Sequence, residues 1–313
     1  MKISYRRLIP HFPRFIFSGI FSLLLLSLPG LAIWQVPTTV AQQQTPAVRF
    51  TESLKFKEIE PGIEYGQTTS GQVSKDELTG PWLISAVRVD LARARLQIVH
   101  ALDEGVGLET VSSLAARYHA PAAVNGGYFR IAGTYRGDSI GLLLLDGNLI
   151  SEPYRERAAF GLIDVGNKTE ILFAHLKFSG EVSLGAAKRA VDGLNRPLEA
   201  DELLIFTPKF HRTTLTSPDG IEVVVRRNRV AAVVDHKGSS EIPEDGYVIS
   251  AVGKSREWLR ANVRKDSKIS FLWRLNSIDP GDTTDWNHAY GMLGGGLNSS
   301  KPARLRLPIN RKK

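Results

Sequence analysis

The chain has 313 residues, 42% of them hydrophobic, and no cysteine, which excludes disulfides and thiolate metal sites and leaves stability to a packed core. Its formal net charge of +8 is concentrated at the ends: Lys2, Arg6, Arg7 and Arg14 open the chain, and Lys301, Arg304, Arg306, Arg311, Lys312 and Lys313 close it, without an acid in either stretch. The remainder is near −2, so composition gives no case for a nucleic-acid partner.

The basic opening leads into an apolar run over residues 15–36, the pattern of an export leader. Residues 1–41 read either as a signal peptide cleaved after Thr39-Val40-Ala41 or as a retained anchor, basic end inside, with the membrane as its partner. Both place the rest of the chain outside the cytoplasm, in a periplasmic or extracellular space. Residues 42–58, rich in Gln and Thr, read as a spacer.

Order is predicted from residue 59. Pro61-Gly62 followed by Ile63-Glu64-Tyr65 reads as a turn and a strand, and residues 82–91 and 96–99 as a hairpin. Leu108, Val111, Leu114, Ala115 and Tyr118 recur at helical spacing, which predicts a helix over 108–119 ended by Pro121. Strands are predicted at 122–125, 141–145, 149–150 and 158–165, with Asp146-Gly147 as a hairpin turn. More follow at 203–207, 221–226, 230–235, 248–252 and 269–275, with a second helix over 255–263. Many short strands beside two helices predict an α+β domain, a strand-rich mixed sheet with a few packed helices.

Asn125-Gly126-Gly127-Tyr128-Phe129 is the densest local signal. It reads either as an ordinary turn or as a loop where glycines admit a ligand to the backbone while Asn and Tyr supply an amide and a phenol. Gly137-Asp138-Ser139-Ile140-Gly141 matches the G-x-S-x-G spacing of a serine nucleophile elbow, but a strand rather than a helix is predicted after it. The seven histidines are scattered, and Asp279, Asp282 and Asp285 before His288 read as a solvated loop or an oxygen-ligand site.

Taken in order, these segments resemble the phosphodiester glycosidase family, the domain of the lysosomal uncovering enzyme and of bacterial relatives associated with exopolysaccharide. The resemblance rests on Gly62 to Tyr65, Val87 to Leu91, Val111 to Tyr118, Ala123 to Phe129, Gly141, Asp146-Gly147 and Arg157 to Gly161. Asn195-Arg196-Pro197, Ile242 to Gly246 and Gly294-Gly295-Gly296 extend it, so it spans 59–296. It implies hydrolysis of a sugar-1-phosphodiester in an envelope glycan; no cofactor and no metal ligand is assigned, and the residues leave metal dependence open. On that reading Asn125, Tyr128, Asp138 and Asp146 are the catalytic candidates, although Asp146 beside Gly147 reads first as a turn residue. Gly126, Gly127, Arg157 and Gly295 are the substrate-binding candidates, with Arg130 and Arg136 as further guanidinium groups for the phosphate. The residues do not assign a nucleophile.

The resemblance stops at Gly296. Relatives continue with a proline, an apolar strand and later a D-G-G-x-S segment, whereas this chain continues with Leu297-Asn298-Ser299-Ser300 and a basic tail. That departure resembles a truncation or frameshift. It predicts an incomplete domain, a bare sheet edge, a disordered tail over 297–313 and weak or absent catalysis, with glycan binding without turnover, or an inactive remnant, as the alternative.

Overall fold

The computed structural model describes residues 54–70, 82–155, 157–166 and 168–295. The expected leader, most of the spacer and the basic tail lie outside the described residues.

In chain order the elements are β1 (Phe56–Glu60), β2 (Ile63–Ser70), β3 (Trp82–Val89), α1 (Val111–Arg117), β4 (Tyr128–Phe129), β5 (Ser139–Ile140), β6 (Leu143–Leu145), β7 (Asn148–Ser151) and β8 (Ala158–Val165). Then come β9 (Lys168–Leu184), β10 (Ala187–Val191), β11 (Gly193–Leu194), β12 (Leu203–Phe206), β13 (Ile221–Arg226), β14 (Arg229–Asp235), β15 (Gly246–Ala251), α2 (Gly253–Asn262), β16 (Ser270–Ser277) and β17 (Gly291–Gly294). Seventeen strands and two α-helices among the described residues make this a mostly-β fold, which corrects the α+β expectation. The helices do not form a layer: α1 buries none of its residues, and α2 buries only Ser255 and Leu259.

Two sheets supply the core. One runs β10-β9-β8-β17-β6-β7, with β16 also on β9; the other runs β11-β12-β15-β13-β14. Leu144, Ala159, Ala174 and Val182 of the first and Leu203, Ile205, Val223 and Ile249 of the second join one buried cluster. Leu204 and Phe206 face the other way, into a second cluster with Phe210, Ile242 and Val248. Because β12 is buried on both faces, its sequence is an unbroken apolar run rather than an alternation.

The seventeen-residue β9 carries the first sheet: residues 168–175 pair with β8, 176–183 with β16, and 180–184 with β10. β17 is threaded between β8 and β6, antiparallel to both. The last described strand therefore lies inside the sheet and not at the edge, and residues 297–313, for which an exposed edge was expected, lie outside the described residues.

Two strand expectations fail for the same reason. Residues 96–99 and 122–125 join no ladder. β3 pairs with β2 instead, and Val124 is 89% exposed. An apolar tetrapeptide becomes a strand only where a neighbour offers its hydrogen-bonding edge. The predicted helix is shorter than its periodicity suggested, capped by the Thr110 hydroxyl accepting from Ser113 N and ended by His119 at φ +50°.

Candidate functional site

The site is built on the β4–β5 hairpin. Phe129 pairs with Ser139 and Tyr128 with Ile140, and beyond them Arg130 N donates to Asp138 O at 2.9 Å while Gly137 N donates to Arg130 O at 2.8 Å. Two residues thus oppose one, a bulge opened by Gly137 at φ +95°. Only glycine fits there, since a Cβ would overlap the carbonyl oxygen of Gly107. The loop between the strands is braced on the second sheet. The Tyr135 ring lies 5.6 Å from Phe210, and its hydroxyl donates to Thr214 O at 3.0 Å.

Strand alternation and the bulge put Tyr128, Arg130 and Asp138 on one face of this hairpin. Arg130 Nε lies 3.2 Å from Asp138 Oδ2. Asp138 is 3% exposed. Burial pushes its carboxyl up to about 7, and the hydrogen bond and charge of Arg130 offset only part of that. A carboxylic acid held half-protonated near neutrality can give or take a proton at physiological pH. Behind it stands Arg196, whose Nε donates to Glu152 at 2.6 Å and whose two Nη groups reach the two Glu202 oxygens at 2.8 Å each.

Arg157 completes the face. Its guanidinium carbon lies 4.9 Å from the Tyr128 ring centre and 5.2 Å from that of Tyr154, and among the described residues it has no carboxylate within ion-pair distance. Both rings lie within cation–π distance of the guanidinium, an interaction that uses none of its N–H donors.

Beside this face opens a cleft of about 780 Å³, bounded by α1, the extended segments around residues 95–101 and 119–127, and the sheet residues Leu143, Phe160, Leu162 and Leu293. Asn125, Gly126, Gly127 and Tyr128 line it. Sequence reasoning placed Asn125, Tyr128 and Arg157 at one site, and the structure does bring Asn125 and Tyr128 to one cleft and Arg157 onto Tyr128. It gives the two glycines another reason, because neither has positive φ. A Cβ on Gly126 would stand 2.5 Å from Leu293 Cδ2 and one on Gly127 3.1 Å from Leu293 Cδ1. The pair is small so that the loop can lie against β17.

The other candidates sit elsewhere. Asp146 (φ +47°) and Gly147 (φ +75°) form the β6–β7 turn, and Asp146 lines an adjoining cavity of about 240 Å³ with Asp103 and Lys209, which shares Gln97 to His100 and Tyr118 with the cleft. Gly295 continues β17 along β8, its N–H donating to Ala158 O at 2.6 Å. Arg136 is exposed and joins the site through its carbonyl, which accepts from Gly107 N. Ser139 is a strand residue whose hydroxyl donates to Gly141 O, and no helix follows it, so the G-x-S-x-G spacing is no nucleophile elbow. The acids near His288 serve the fold: Asp279 binds His175 N and Nδ1, and Asp282 accepts from Trp286 Nε1. Among the described residues no cluster of three His or acidic side chains could hold a metal.

Sequence reasoning missed Tyr154, Glu152 and Arg196 as parts of the site. Tyr154 stands three residues before Arg157, but only the chain path after β7 turns both toward Tyr128.

No model of a known protein family matches the chain. An uncharacterized protein of Rickettsia conorii is 27% identical over 181 residues, which cover 54% of this chain and 63% of that protein. Two crystal structures share the fold. One is a "putative exported protein" of Burkholderia pseudomallei, with TM-score 0.62 and 24% identity over 70% of this chain and 50% of that one. The other is a hypothetical protein of Synechocystis, with TM-score 0.61 and 21% identity over 78% of this chain and 44% of that one. The chain thus spans about half the length of these structures and under two thirds of the Rickettsia protein.

Proposed function

We propose that this chain is an exported hydrolase of sugar-1-phosphodiesters, with its site on the Tyr128, Arg130, Asp138 and Arg157 face. The observation that carries the reading is the Arg157 guanidinium, held within cation–π distance of two tyrosines and without a carboxylate partner among the described residues, beside a hairpin that carries a buried carboxylic acid. The guanidinium fits a phosphodiester oxygen pair. Asn125 and Tyr128 hydrogen-bond the sugar, and Arg130, with its side chain 40% exposed, swings outward to the phosphate and uncovers Asp138.

In the reaction the sugar C1–O bond breaks, water supplies the hydroxyl at C1, the leaving phosphate oxygen takes the Asp138 proton, and the proton released by the water restores the Asp138 acid through solvent. Export is supported by the basic, apolar leader of the sequence and by the description of the Burkholderia neighbour. Among the described residues no helix is long and apolar enough to cross a membrane; the leader lies outside them. The near-complete burial of Asp138 favours, as a second reading, binding of the same ligand without turnover.

The test is hydrolysis of methyl N-acetylglucosamine-1-phosphate, followed by release of reducing sugar. The expected result is turnover that falls at least about tenfold in kcat/KM in Arg157→Gln and in kcat in Asp138→Asn. Binding of the diester without release of sugar selects the second reading. Neither binding nor turnover by the wild-type chain overturns both.

A further inference from the structure

The shape and lining of the cleft go beyond a site for a sugar. Val111 and Leu114 on α1 face Leu143, Phe160, Leu162 and Leu293 across it, and α1 buries no residue against the protein. Val111, Leu114 and Ala115 are half-buried, so among the described residues part of this apolar stripe is left open to the cleft. The volume, about 780 Å³, lies in the range of small-molecule sites. Sugar hydroxyls placed between these walls would lose water without gaining partners, whereas a hydrocarbon chain would gain from the same burial.

Charge at the cleft selects among apolar ligands. Arg95 lines it and stacks on Tyr290 at 4.7 Å, and Arg157 stacks on Tyr128, which lines it too. Among the described residues neither arginine has a carboxylate partner. Glu109, the acid that lines the cleft, is already tied to Arg117 at 2.8 Å and to Leu102 N at 2.9 Å. An apolar interior with uncommitted guanidinium groups complements an amphiphile with an anionic head.

We infer that the cleft takes a single alkyl chain whose phosphate head sits at Arg157, so that the substrate class is an alkyl sugar-1-phosphate, a lipid-linked sugar, rather than a soluble glycan. The inference rests on the proposed function for its sugar end and on the cleft for its chain.

The experiment titrates the full chain with dodecyl phosphate, methyl phosphate and dodecyl maltoside, each below its micelle concentration, by calorimetry. Dodecyl phosphate should bind one to one, at least about tenfold more tightly than either of the others. Leu114→Asp should weaken it by a similar factor and leave methyl phosphate unchanged. Arg157→Gln, which alters no core residue, should weaken dodecyl phosphate and leave dodecyl maltoside unchanged, and it serves if the α1 variant fails to fold. Equal affinity for methyl and dodecyl phosphate overturns the inference even where methyl N-acetylglucosamine-1-phosphate is hydrolysed, and so separates its failure from that of the hydrolytic reading.

Discussion

Replacing Asp138 by Asn should change how stability depends on pH. The side chain is 4% exposed, and burial raises its carboxyl from an ordinary 3.8 to about 7. Below about pH 4 the acid is protonated in both folded and unfolded chains, and its contribution to folding is complete. As the pH rises, the unfolded chain releases the proton first while the folded chain still holds it, so stability falls until the pH passes about 7. A gap of that width corresponds to roughly 4 kcal/mol. Asn keeps the shape and neutrality of the protonated acid, so the variant should match wild type near pH 4 and exceed it by about 2–4 kcal/mol near pH 8. Urea unfolding of both proteins at several pH values between those limits measures the difference, and subtracting the curves removes every other titrating group. Parallel curves across the window would show that Asp138 ionises normally, and the general-acid role would go with it.

Gly137→Ala should destabilise by more than about 2 kcal/mol, because it combines a φ of +95° with overlap on Gly107; an unchanged denaturation midpoint would refute the bulge. Trp286→Ala should cost about 3–5 kcal/mol, since the indole is 1% exposed, rests on Gly161 and donates to Asp282; calorimetric unfolding measures it. Thr110→Ala should cost about 1 kcal/mol through the lost cap, with amide exchange accelerating in α1 before it does in the sheets.

Much of the strand content was legible in the sequence. Residues 158–165 and 221–226 form strands with the predicted bounds, and Asp146-Gly147 is a turn. In such stretches the local signal is complete: β-branched and apolar runs, or a dipeptide that tolerates positive φ. The longest strand, β9, went unread although Ala174, Leu176, Val182 and Leu184 are buried at period two; its charged residues and Gly180 masked the alternation.

The site was partly legible. Asn125, Tyr128, Asp138 and Arg157 stand out in the sequence as polar candidates, and the structure lines the cleft with the first two, sets Arg157 on the Tyr128 ring and pairs Asp138 with Arg130. The roles of the others were not legible, because they depend on partners remote in the chain. Leu293, not a ligand, explains Gly126, and the sheet explains Gly295. Burial, which a sequence does not state, sets the proton affinity of Asp138. The sequence by itself determined a cysteine-free chain rich in strands, with its excess of basic residues gathered at the two ends. Tertiary structure alone decided that the helices form no layer of their own, α2 giving the core only Leu259, that β17 threads the sheet, and that Tyr128 and Tyr154 close on Arg157. Strand pairing and burial are properties of residues far apart in the chain, and no local pattern encodes which edges will meet.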